Sequence, residues 1–156
     1  MTTVTLNAEA ILGKLASIGK STGLFPGGGV KRYEPRGQPA NGLTLSLISG
    51  PKRPIRSSGL NNVSLRWQID GMIYLPMKIT PPDDIDVRLT EASAGYLQAL
   101  CAQFTLGGLV RCIDVLGSDG EELNATPGYL EANEKTYRVE RLMIPLLINQ
   151  KWTLTP

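Results

Sequence analysis

FTLGGLVRCIDVLGSDGEELNATPGYLEANEKTYRVERLMIPLLINQKW, residues 104–152, carries the two strongest strand patterns of the chain and the turns between them. Leu109, Arg111, Ile113 and Val115 alternate with Val110, Cys112, Asp114 and Leu116. That period of two, rich in β-branched residues and closed by Gly117, predicts a strand over 109–116. From Tyr137 the pattern is apolar Tyr137 and Val139 against charged Arg138, Glu140 and Arg141, then apolar at nearly every position from Leu142 to Ile148. A strand half exposed at its start and buried on both faces further on has this form. Pro145 lacks an N–H and so marks an edge, a bulge or a point where the strand changes partner. Asp119-Gly120 and Pro127-Gly128 read as turns between the two strands.

Working outward, residues 7–19 place Ala8, Ile11, Leu12, Leu15 and Ile18 on one stripe. Asn7 stands before them as an N-cap and Gly19 after them as a stop, which predicts an amphipathic helix. Gly13 inside it weakens it by about 1 kcal/mol relative to alanine, so the helix needs a sheet to lie on. The segment from Leu24 to Gly42 is mostly loop, with a short strand at Val30 to Tyr33. Gly27 to Gly29 do not make a phosphate cradle, because Val30-Lys31-Arg32 leads into Glu34-Pro35 rather than into Lys-Ser/Thr at a helix start.

Leu43, Leu45 and Leu47 predict a strand ending at Gly50-Pro51, and Val63, Leu65, Trp67, Ile69, Ile73 and Leu75 predict its hairpin partner. Between them PKRPIRSSGL is too long for a tight turn, and its Lys52, Arg53 and Arg56 surround Ile55. A solvated loop and a binding arm are both open for it. Pro81-Pro82 with Asp83, Asp84 and Asp86 start the main helix, over about 84–103, since acidic residues favour the positive end of the helix dipole. Its apolar stripe is Ile85, Leu89, Ala92, Tyr96, Leu97, Leu100, Cys101 and Phe104. Trp67, Ile69, Leu97, Leu100 and Ile113 are expected to meet in one core.

The 156 residues suit one domain, and a chain of this length buries roughly 70% of its unfolded surface. With 42% hydrophobic and 19% charged residues the composition is that of an ordinary globular domain, and 17 glycines and 11 prolines favour strands and loops. A net charge of +2 does not by itself imply nucleic acid or membrane as a partner. No apolar run is long enough for a bilayer and no signal peptide is apparent, so the protein is expected to be made and kept in a cytoplasm. Cys101 and Cys112 read as small buried hydrophobes. There is no histidine, which removes the commonest general base and the Ser-His and Cys-His nucleophiles. Glu121-Glu122 and Asp83-Asp84 lack neighbours that would raise a carboxylate pKa usefully. No catalytic residue, metal or cofactor is expected.

The ordered set Phe104-Thr105-Leu106-Gly107-Gly108, Val110-Arg111, Ile113-Asp114, Leu116-Gly117, Gly128-Tyr129-Leu130, Tyr137-Arg138-Val139, Pro145 with its aliphatics, and Asn149 and Trp152 resembles the tail terminator proteins of long-tailed, siphovirus-type bacteriophages, in particular those of actinobacterial hosts. Glu34-Pro35, Pro39 and Asn41-Gly42-Leu43-Thr44 extend the resemblance, which covers the chain from about Leu12 onward. It implies a structural virion protein, not an enzyme, that forms a hexameric ring on the last ring of the tail tube. There it stops addition of the tube protein and offers a joint to the head-tail connector protein. Genomic DNA would pass through the ring without sequence-specific binding. The expected location is the tail at the head-tail junction, and the host cytoplasm during assembly.

The expected fold is a single α+β domain, a four- to five-stranded antiparallel or mixed sheet with two helices on one face. Candidate assembly contacts are Lys52, Arg53, Ile55 and Arg56 in the basic segment and Lys151, Trp152 and Leu154 in the tail, since each places an apolar anchor in a polar stretch. The alternatives are a head-closure or connector subunit and, from another class, a small nucleic-acid-binding module using residues 52–56.

Overall fold

The computed structural model describes residues 6–26, 29–33, 42–56, 62–78, 81–132 and 134–153, with backbone alone for residues 62 and 149–153. In chain order the elements are helix α1 (Ala8–Ser21), strands β1 (Gly29–Lys31), β2 (Thr44–Arg56) and β3 (Asn62–Pro76), helix α2 (Asp84–Ala102), and strands β4 (Cys112–Ile113), β5 (Asn124–Ala132) and β6 (Lys135–Thr153). They form an α+β domain built on one curled, mixed sheet. The order is β1-β2-β3-β6-β4, and β5 pairs with β6. Among the described strands, β1 and β2 run parallel and the other pairs are antiparallel.

The helices lie together on one face, as their stripes predict. Ile11, Leu15 and Ile18 of α1 and Ile85, Leu89, Ala92, Tyr96 and Leu100 of α2 share a single buried cluster with Leu45, Leu47, Trp67, Ile69, Ile73, Ile144 and Leu146 of the sheet. The Asn7 side chain accepts the Ala10 N–H at 3.1 Å and caps α1. Gly19 does not stop that helix. It lies within it because a Cβ there would come within 2.9 Å of Leu45, so its small size serves close packing on the sheet. The Tyr96 hydroxyl donates to the Leu15 carbonyl at 3.0 Å, tying α2 to α1, and burial drives its pKa upward. Of the expected core set, Trp67, Ile69, Leu100 and Ile113 are buried, whereas Leu97 is only half-buried at the rim. Cys101 is exposed and Cys112 half-buried, so neither is the buried hydrophobe the sequence suggests.

β6 is the spine. Along one edge it pairs with β3 from Pro76↔Tyr137 to Asn62↔Thr153. Along the other it pairs with β5 up to Asn124↔Met143 and with β4 at Cys112↔Leu147 and Ile113↔Leu146. Pro145 falls where β5 hands over to β4. The missing N–H costs nothing there, and its carbonyl still accepts the Asp114 N–H at 2.9 Å.

Three further sequence expectations are corrected. The strand predicted over 109–116 shrinks to Cys112–Ile113. Leu106 at φ 50, Gly107 at φ 68 and Gly108 at φ 89 bend the entry to it, and after it the buried Asp114 carboxylate accepts the backbone N–H groups of Ser118 and Asp119, turning the chain back. Pro127-Gly128 is not a turn: both residues lie in β5, a strand hydrogen-bonded on one side only, where proline is tolerated. The described residues thus form six strands, one of them unanticipated. Finally, the segment 51–56 is strand, not loop. β2 continues past a bulge between Ser49 and Lys52 and pairs with β3 to Arg56↔Val63. At Gly50 a Cβ would stand 2.7 Å from Asp70 Oδ2, which is why the bulge is built on glycine.

Candidate functional site

The far end of the β2-β3-β6 sheet joins the two segments singled out in the sequence. Arg56 pairs with Val63 of β3, and Val63 pairs on its other side with Trp152 of β6, so the basic segment and the tail flank the same residue of one ladder. Lys52, Arg53 and Arg56 are exposed. Lys52 Nζ donates to the Gly50 carbonyl at 3.2 Å, across the bulge. Ile55 is 7% exposed, so it serves the fold and is removed from the contact set. Of the tail residues, Lys151 and Trp152 are placed by their backbone in β6, while Leu154 lies outside the described residues.

Below this end the second face of the sheet carries a polar layer that sequence reasoning missed. Arg66 of β3 and Asp114 are both buried, with 3.6 Å between Arg66 Nη2 and Asp114 Oδ2. Arg66 also donates to the Glu121 carbonyl, Arg53 donates to the Asp119 carbonyl, and Arg111 donates to Ser64 Oγ at 2.8 Å. Arginines of two strands thus clasp the 114–123 loop onto the sheet. Arg66 Nε is left without a partner, so the buried charge is incompletely compensated. The only signal in the sequence is Arg66 itself, a charge in the middle of a strand whose other face is apolar. Beside the layer, burial first and the charge of Asp114 second push the Cys112 thiol up, away from the reactive thiolate.

At the opposite end of β6 an open cleft of about 420 Å³ lies between Met77, Ile85 and Tyr129. Two of its polar side chains are paired with a third: Arg138 sits 4.6 Å over the Tyr129 ring and bonds Asp86 at 3.0 Å, while Asp83 also lines the cleft. Among the described residues no group of three or more Cys, Asp or Glu side chains is placed to hold a metal ion, and no helix is long and apolar enough to cross a membrane. Among the described residues, the basic end of β2 presents three exposed cations, of which Arg53 is tied to the Asp119 carbonyl. Compared with known proteins, the chain matches no family model, and no curated protein is significantly similar to it.

Proposed function

We propose that the protein is a tail terminator of a long-tailed bacteriophage, a ring-forming structural subunit that occupies the end of the finished tail tube and joins it to the head connector. The observation that supports this role best is the meeting of two segments far apart in sequence, Lys52–Arg56 and Lys151–Thr153, on either side of Val63. Together with the ordered sequence resemblance from Glu34 to Trp152, that shared end of the sheet suits a subunit whose work is contact. A capped assembly needs one surface that accepts the repeat and another that denies it.

The test is electron microscopy of a host making phage with a premature stop codon early in this gene. Overlong tubes and unjoined heads are the expected result, since tube subunits keep finding a free end. Tubes of normal length already attached to heads would overturn the role. Tubes of normal length detached from heads would move the assignment to a connector subunit.

A further inference from the structure

The cleft at the start of α2 holds carboxylates that the fold does not use. Pairing across β5 and β6 sets Pro127 opposite Glu140, Tyr129 opposite Arg138 and Glu131 opposite Thr136. Arg138 and Glu140 pair in turn with Leu75 and Ile73, which belong to the core under the helices, so these residues share the helix face of the sheet. There they meet the first turn of α2, where Asp83 and Asp86 line the cleft of about 420 Å³. Asp83 stands at the N-cap of α2, yet its side chain makes no capping hydrogen bond. Among the described residues Asp83, Glu131 and Glu140 form no ion pair, and Arg138 is already bonded to Asp86. The Glu140 carboxyl registers the imbalance: burial raises its pKa most, Arg138 lowers it, and Asp86 raises it again as a like charge. Lys78 and Lys135 line a neighbouring hollow that shares Met77, and Glu134 lines it with them.

The cleft is apolar as well as acidic. Met77 is 41% exposed and Tyr129 58%, and with Pro82 and Ile85 they make an apolar wall. Arg138 lies over the Tyr129 ring and holds it as a fixed platform. A metal ion does not suit the site, because among the described residues no three acidic or cysteine side chains are placed to hold one. Nucleic acid and anionic lipid are disfavoured too, since carboxylates repel phosphate. An apolar wall rimmed by spaced carboxylates matches a long cationic side chain, whose stem lies along the wall while its head stays in water beside the acids.

We propose that this cleft docks a segment of a partner protein through a lysine or arginine next to an apolar residue, with the cation against Asp83 and Asp86 and the apolar side chain against Met77 and Tyr129. Exposed ion pairs contribute little each, so apolar contact supplies most of the affinity and charge supplies the choice of partner. The cleft lies at the opposite end of β6 from the segments behind the terminator role, so each reading is tested without the other.

The experiment immobilises the full chain and selects on it from a random peptide library. Enriched peptides should carry lysine or arginine next to an apolar residue. The best of them, labelled and titrated in solution, should bind Asp83→Lys and Tyr129→Ala each at least about tenfold more weakly than the unaltered chain, while Lys20→Ala, on α1, leaves binding unchanged. Both cleft residues are exposed, and circular dichroism on each variant confirms folding. Should either variant unfold, Asp83→Asn, which keeps the side-chain shape, carries the test with an expected loss of about threefold. Enrichment of acidic peptides, no enrichment beyond that on the Tyr129→Ala chain, or binding that neither Asp83 substitution weakens overturns the proposal. Displacement of the peptide by spermidine at equal concentration also overturns it, by making the occupant a small cation, as does displacement by excess unlabelled chain, by making it a second copy.

Discussion

Arg66 and Asp114 show how one buried charge shapes its surroundings. Asp114 does two jobs, facing the Arg66 guanidinium and accepting the Ser118 and Asp119 N–H groups at 2.7 and 3.0 Å. Removing it strands a buried cation and frees the loop, so Asp114→Ala should destabilise by about 3–5 kcal/mol in denaturant unfolding, the range for breaking a buried pair from one side. Arg53→Ala, which removes an exposed donor, should change stability by about 1 kcal/mol or less; equal losses would show that the pair is not what anchors the loop. Glu140 gives a pH signature. Burial is the main cause that raises its carboxyl pKa, with Arg138 opposing. A raised carboxyl destabilises the fold once ionised, so the penalty is absent below the unfolded-state pKa and complete above the folded one. Glu140→Gln should therefore gain stability at neutral pH and none in acid, and a gain of the same size at both would mean that the charge is not responsible. Neither residue was legible as structural from the sequence, because a charge in a strand pattern does not say whether it meets water or a buried partner.

At the scale of elements, what could be read depended on period and length. α1, α2, β3 and the body of β6 follow from long apolar repeats, and the hairpin of β2 with β3 follows from two adjacent alternations. β5 and the end of β2 escaped because Pro127-Gly128, Pro51 and Pro54 carry the chemistry of turns, and only the sheet order shows that they stand on edges where a missing N–H is harmless. β4 failed the other way. Its eight-residue alternation is real, but Asp114 and the left-handed Leu106 to Gly108 bend let two residues pair. Two substitutions test the packing that follows. Leu100 is fully buried between α2 and the sheet, so Leu100→Ala should lose about 2–5 kcal/mol, and a change within noise would take α2 out of the core. Gly71 lies opposite Leu142, where a Cβ would approach Leu142 Cβ to 3.0 Å. Gly71→Val should cost about 1–3 kcal/mol by overpacking β3 against β6, while a neutral result in thermal melts would mean that the strands can part.

For the whole molecule, the tail links stability to assembly. Among the residues whose side chains are described, those that β6 gives to the buried clusters run from Tyr137 to Ile148, and the ladder beyond includes Trp152↔Val63 and Thr153↔Asn62. Of the candidate contacts the sequence named, the structure thus brings Lys52, Arg53 and Arg56 to the same sheet end as Lys151 and Trp152, an association that nearly a hundred intervening residues concealed. Deleting residues 150–156 should then leave a folded domain, weaker by on the order of 1–2 kcal/mol for the lost strand end. It should not assemble, because aromatic anchors such as Trp152 dominate contact energies. Circular dichroism reads the first outcome, and tail completion in a host supplied only with the truncated chain reads the second. A folded but assembly-dead domain keeps the tail as a contact element, normal tails discard it, and an unfolded chain would show that β6 needs its last turns of ladder for the fold itself.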